Sequence, residues 1–148
     1  NDSFIVSIGN NAIRKNIVNE LVCNFDLAIH PSSTISKSVT PGIGTVVMAG
    51  VCVNVDSQIG KHVILNTNCS VDHDCEIGDF VHLSPNVALA GDVTVGEGTH
   101  IGIGAVVIQG IQIGKWCVVG AGAVILKNIP DFAVVVGNPG KIIKYIKD

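Results

Sequence analysis

The sequence predicts an all-β fold: a parallel β-helix of hexapeptide repeats, with a small α/β unit before it and a short helix after it. Three observations carry this. From Ile29 to Ile125 every sixth residue is aliphatic, with Pro41 the sole exception and no insertion breaking the phase. The residue four places after each aliphatic is small or β-branched nearly throughout, as at Thr45, Ser57, Cys69, Cys75, Thr99, Ala105, Cys117 and Ala123. The residue directly after it is often Gly, Asn or Asp, as at Gly60, Asn66, Asp72, Gly96 and Gly120. A helix repeats its apolar face every three to four residues and a half-buried strand every two, so a period of six fits neither. It fits a coil of three short strands, eighteen residues per turn, in which the aliphatic and the small residue point inward. Successive coils then lie about 4.8 Å apart, and each strand pairs with the one a full turn away. Gly, Asn and Asp are expected to turn the corners, where φ > 0 is often needed.

The elements follow in order. Phe4 to Ile8 reads as a strand. Gly9-Asn10-Asn11 reads as a turn and cap, and Ala12 to about Cys23 as a helix with Ile13, Ile17 and Leu21 on one face. Residues 29–130 form the coils. After them Val134-Val135-Val136 leads through Gly137-Asn138-Pro139-Gly140 into a short basic amphipathic helix, Lys141 to Lys147. End elements of this kind would cover open coil edges that otherwise invite aggregation. The expected units are therefore 1–28, 29–130 and 131–148.

Composition supports narrow layers. Hydrophobic residues make up 47% of the 148 but aromatics only 4%, so small and branched aliphatics must fill the core. A net charge of −3 argues against nucleic acid as a partner. No run of 18 apolar residues suggests a membrane span. No basic segment followed by an apolar stretch opens the chain, so no signal peptide is expected. The five cysteines show no CxxC spacing and read as reduced thiols of a cytoplasmic protein. Three of them (Cys69, Cys75, Cys117) occupy the small inward position and read as core fillers.

Among the five histidines His73 is the best candidate for a general base. It follows Val71 by two residues, at an expected corner where a side chain can face a cleft. An ordinary imidazole pKa near 6.5 suits that role. The bland reading is a solvated corner His beside a solvated Asp74. Gly91 lies one coil further on in the same column, either as a corner glycine or as an amide open to a ligand. His82 and His100 are also one coil apart, and both are expected to point outward on the same face; His100 reads as a surface residue, and for His82 an exposed surface position is the bland reading. His30 and His62 carry no motif. Carbonic anhydrases of the β-helix type carry two histidines five apart and a third about two coils earlier; here no pair is five apart, the nearest being His73 and His82. Period six by itself would also allow a non-enzymatic trimeric scaffold.

The hexads, the terminal Gly137-Asn138-Pro139-Gly140-Lys141 and above all Leu65 to Gly78 (LNTNCSVDHDCEIG) resemble the bacterial sugar O- and N-acetyltransferases. That group includes sialic acid O-acetyltransferase and the UDP-4-amino-sugar N-acetyltransferase that makes UDP-N,N′-diacetylbacillosamine. The opening Ile8 to Lys15 (IGNNAIRK) looks closest to the latter. The resemblance implies a left-handed β-helix, an exception to the usual right-handed crossover. It also implies a homotrimer with active sites between subunits, and acetyl-CoA and a nucleotide-activated amino sugar as substrates, without a metal. Residues 1–28 would then be the remnant of an α/β nucleotide-sugar-binding domain. The resemblance makes His73 the base, Asp74 its orienting acid and the Gly91 N–H the oxyanion donor. It puts His82, Gly91, Ile103 and Ala121 at acetyl-CoA, and Asn66 with His73 near the acceptor sugar. Lys127, Lys141, Lys144 and Lys147 would suit the phosphates of CoA, or simply form a solvated face. The expected reaction is acetyl transfer to the amine of a nucleotide-linked 4-amino sugar. A sialic acid hydroxyl is the alternative acceptor.

Overall fold

The computed structural model describes residues 2–146. Its body is a triangular coil whose three faces are ladders of two-residue strands in parallel register. Face one runs from Ala28–Ile29 through Ile64–Leu65, His82–Leu83 and His100–Ile101 to Val118–Val119. Face two runs from Thr34–Ile35 through Ser70–Val71 and Ala88–Leu89 to Val124–Ile125, and face three from Gln58–Ile59 to Gln112–Ile113. Within the coil each strand pairs with the one eighteen residues on, as His82 with His100 and Ala88 with Val106, until Val118 pairs with Val134 sixteen residues on. This all-β parallel solenoid is the architecture of a left-handed β-helix.

The inward positions are those the repeat marks. Val47, Val53, Leu65, Val71, Leu83 and Ile101 are buried, and so are Cys69, Cys75, Ala105, Cys117 and Ala123. The first coil is the exception, since Ile29 has no coil before it and stays 45% exposed. Polar members of the small column are satisfied across coils. Thr99 Oγ1 donates to Gly114 O at 2.7 Å and accepts from Cys117 N at 2.9 Å. Ser57 Oγ does the same with Asp72 O and Cys75 N. A buried hydroxyl costs little once both its roles are filled. Burial also pushes the Cys69 thiol up to about 12, as befits a core filler rather than a nucleophile.

The corners differ from expectation in one respect. The left-handed residue lies three places after the inward aliphatic, not directly after it: Asp56, Asn68, Asp74, Asn86 and Asp92 all have φ near +58°. The glycines directly after the aliphatic serve a different purpose, close approach between coils. A Cβ on Gly96 would stand 2.6 Å from the backbone of Gly114 and Lys115. Aromatic side chains occupy the left-handed position at the corner between faces three and one. There His62 stacks on Phe80 with ring centroids 5.2 Å apart, and Phe25 meets its edge at 4.8 Å.

Both ends depart from the sequence reading. The first strand is β1 (Ser3–Phe4) rather than 4–8, because β2 (Asn24–Phe25), its parallel partner, is equally short. The helix α1 spans Asn11–Glu20 rather than 12–23. Asn10 caps it by accepting from Ile13 N at 3.0 Å, and Leu21 turns extended so the chain can return to β1. Its docked face is polar: Asn11 and Arg14 are buried, while Ile13 and Leu21 are exposed. The expected C-terminal helix is a strand, Lys141–Tyr145, antiparallel to Ala133–Val136 and so joined to face one. Two β-branched residues and a tyrosine suit a pleated edge, and the ladder partner is already in place. Lys147 lies outside the described residues.

Candidate active site

His73 stands at the corner between faces two and three, with its side chain 55% exposed. Three contacts define its position. Its backbone N–H donates to Asp72 Oδ1 at 2.9 Å, and Asp72 in turn accepts from Asn54 Nδ2 of the preceding coil at 2.7 Å. Its Nδ1 meets Asp74 Oδ2 at 2.8 Å. A carboxylate only accepts, so Nδ1 carries the proton and Nε2 presents its lone pair outward. The bond to Asp74, with the charge of Asp72 behind it, raises the imidazole pKa above its ordinary value. The Asn54 bond in turn lowers that of Asp72. Asp72 is a contact of His73 that the sequence does not single out. Its signal is the Asn54–Asp72 pairing one coil apart.

The imidazole lies directly over Gly91. A Cβ there would be 2.6 Å from His73 Cε1 and Nε2, so only glycine admits the ring. Gly91 does not have a positive φ, and so it is not a corner glycine kept for its backbone angles. Its N–H donates to no acceptor among the described residues. The reason is local. In the coil before, Asp72 caps the N–H of His73, but in this coil Ala90 stands in that place and can cap nothing. A free imidazole nitrogen and a free amide therefore share one corner, as a base and an oxyanion donor must.

The other expected site residues lie elsewhere on the chain. Asn66 and His82 are on face one, where Asn66 Nδ2 approaches His82 Nε2 at 3.2 Å. The expected left-handed corner role belongs to Asn68 rather than Asn66. His82, expected to point outward, does point away from the coil core. The N-terminal segment covers it, however, with Nδ1 at 3.3 Å from Gly9 O. Burial, then the neighbouring His100, pushes its pKa down to about 4. His100 is likewise half-buried rather than surface, with Nε2 at 3.1 Å from Ser84 Oγ. It lines a pocket of about 500 Å³ between the start of α1 and face one, together with Asn11, Trp116 and Phe132. Ile103 and Ala121 are exposed at the corner between faces one and two. Lys127, Lys141 and Lys144 are exposed as well. One chain thus brings His73, Asp74 and Gly91 together, and separately Asn66 and His82, with face two lying between the groups. Among the described residues no three His, Cys, Asp or Glu side chains cluster as metal ligands do.

Residues 92–127 match the family model described as bacterial transferase hexapeptide (six repeats). A variant of perosamine N-acetyltransferase from Caulobacter crescentus, solved in complex with CoA and GDP-perosamine, is 44% identical to this chain. It superposes with a TM-score of 0.93 over 95% of this chain and 68% of its own. The chain belongs to the hexapeptide-repeat transferase family. The acetyltransferase domain of PglB from Neisseria gonorrhoeae FA1090, solved with acetyl coenzyme A, is 42% identical, with a TM-score of 0.93 over 95% of this chain and 70% of its own. UDP-N-acetylbacillosamine N-acetyltransferase of Bacillus subtilis (strain 168) is 45% identical over 49 residues. That match takes in 31% of this chain and 23% of the relative. The chain thus spans about two thirds of the solved relatives' length, while the curated relative matches over under a quarter of its own.

Proposed function

We propose that the protein is an acetyl-CoA-dependent N-acetyltransferase acting on the amine of a nucleotide-linked 4-amino sugar. The observation that carries this is the corner itself: an imidazole with a free Nε2, oriented by Asp74, packed on a glycine whose amide is unclaimed. The relatives solved with CoA, GDP-perosamine and acetyl coenzyme A support the substrates. Both named N-acetyltransferases favour an amine over the sialic acid hydroxyl.

In this reading the acceptor amine attacks the thioester carbon and gives up a proton to His73 Nε2. The carbonyl oxygen gathers negative charge and is held by the Gly91 N–H. The C–S bond then breaks, and the CoA thiolate leaves and takes the proton back from His73. No covalent enzyme intermediate is needed. Asp74 holds the tautomer that leaves Nε2 basic. Ile103, Ala121 and His82 line the path of acetyl-CoA, and Asn66 faces the acceptor.

The working unit in this reading is a homotrimer. His73 stands open at its corner, while Asn66 and His82 sit on another face, so a neighbouring copy is what would set one group against the other. Residues 1–28 contribute to an α/β nucleotide-sugar-binding unit, 29–130 form the catalytic coil and 131–148 cap it. Acetyl-CoA as donor and free thiols favour a cytoplasmic reaction. The deciding experiment is calorimetric titration with acetyl-CoA, followed by CoA release on adding a UDP-4-amino sugar or GDP-perosamine. Saturable binding and turnover with either acceptor are expected. A protein that bound no acetyl-CoA would leave only the scaffold reading.

A further inference from the structure

Arg14 is 1% exposed, yet among the described residues no carboxylate pairs with it. Backbone carbonyls and one amide satisfy its guanidinium instead. Nε donates to His62 O at 3.0 Å and Nη2 to Phe80 O at 2.8 Å, anchoring it to one corner of the coil. Nη2 also donates to Asn11 Oδ1 at 2.8 Å, while Asn11 Nδ2 donates to Gly98 O at 3.0 Å and Thr99 O at 3.2 Å. From that anchored frame Nη1 reaches out to Ile8 O at 2.7 Å and, more weakly, Gly9 O at 3.5 Å. Burying an unpaired cation is costly, and an apolar residue would pack a helix more cheaply. What an apolar residue could not do is fix the direction of the Ile8 and Gly9 carbonyls.

That direction matters because Gly9 O is the partner of His82 Nδ1. A carbonyl only accepts, so this contact places the proton of His82 on Nδ1. Nε2 is then an acceptor, and it faces Asn66 Nδ2. The Asn66 amide cannot be turned the other way, since its Oδ1 already accepts from Thr67 N at 2.8 Å. Donation thus runs from Asn66 through His82 to the Gly9 carbonyl, where the Arg14 bond also ends.

We propose that Arg14 is a positioning residue for the acceptor side of the active site: through the Ile8–Gly9 carbonyls it fixes the tautomer of His82, and through His82 the orientation of the Asn66 amide. This rests on the reading that Asn66 faces the acceptor sugar. The bland alternative is that Arg14 only staples α1 to the coil.

Two readouts separate them in the whole chain. Long-range ¹⁵N NMR of the histidines should find His82 as the neutral Nδ1–H tautomer in the wild type. In Arg14→Lys, which keeps the charge but cannot bridge both anchors, the Nε2–H form should grow in. The same variant should raise KM for the UDP-4-amino sugar roughly 10-fold while kcat stays within about 3-fold. Arg14→Gln, which keeps a donor without a buried charge, serves if the lysine variant does not fold. An Nε2–H tautomer in the wild type overturns the proposal outright. So does a folded variant in which neither tautomer nor acceptor KM moves, or in which stability falls and both readouts hold. A tautomer that shifts with KM unmoved also overturns the positioning role. Failure of the parent reading would look different, as a wild-type protein that binds no acetyl-CoA.

Discussion

At the scale of single residues the catalytic corner is decided by contacts of a few atoms. His73 must be neutral to accept a proton, and Asp74 raises its pKa. Activity should therefore rise with pH through a value above 6.5, the ordinary imidazole value. Asp74→Asn removes the raising bond, so the pH–kcat/KM limb should move to lower pH while kcat falls. A limb that stays in place would show that another group titrates. His73→Ala should lower kcat by about 10²–10⁴, the usual worth of a general base, with acetyl-CoA affinity measured by calorimetry nearly unchanged. Gly91→Ala is sharper. Its backbone φ would tolerate alanine, yet the new Cβ would meet the imidazole at 2.6 Å. The ring must move while the amide donor is kept, so kcat should fall towards the loss of a general base, about 10²–10⁴, with little change in Tm.

At the scale of the element the glycines sort into two kinds by what they do for the coil. Gly96 lets two coils approach, whereas Gly104 has φ +66° and nothing within 4 Å of its would-be Cβ. Gly104→Ala should cost about 1–2 kcal/mol, the strain of a left-handed alanine. Gly96→Ala must push coils apart against their ladder and should cost more, read as the larger drop in denaturant midpoint. Equal losses would refute the distinction. The same contrast explains what the sequence conceals here. Both kinds of position show as Gly, Asn or Asp in a hexad, and only the backbone tells which of them bears φ > 0. The helix α1 escapes a hydrophobicity reading for a related reason. An apolar stripe normally marks the docked face, but α1 docks through Arg14 and Asn11, whose hydrogen bonds to coil carbonyls have no signature in a pattern of hydrophobicity.

For the whole molecule the test is assembly. If each site joins His73 of one copy to Asn66 and His82 of the next, two dead variants should complement. His73→Ala mixed with an Asn66→Ala, His82→Ala double variant and reassembled should recover about a quarter of wild-type activity, the statistical share of intact interfaces in a mixed ring. No recovery from well-formed mixed trimers would place all these residues in one subunit's site. Acid should also loosen the join between α1 and the coil. Burial holds His82 at about 4 and lowers His62 and His100 as well. At these three histidines the unfolded chain therefore binds more protons than the folded one below about 6.5. Stability present above that pH is lost as pH falls towards 4, and thermal melts at pH 5 should lie below those at pH 7.5.

The sequence by itself determined the coil. An unbroken period of six leaves one way to bury the aliphatics, and the eighteen-residue turn it implies is enough to place His73 over Gly91. That inference works because every coil repeats the same local rule, so sequence distance converts directly into space. It fails where the rule stops. The strand at Lys141–Tyr145 reads as a basic amphipathic helix until the exposed edge of Ala133–Val136 offers it hydrogen bonds. The spacing of His82 says only that it points outward, and not that the Gly9 carbonyl, more than seventy residues away in the chain, closes over it. Contacts of that kind are made between segments that no repeat relates. Only the tertiary structure decided them, because a partner's backbone, and not the residue's own pattern, settles where its polar groups are satisfied.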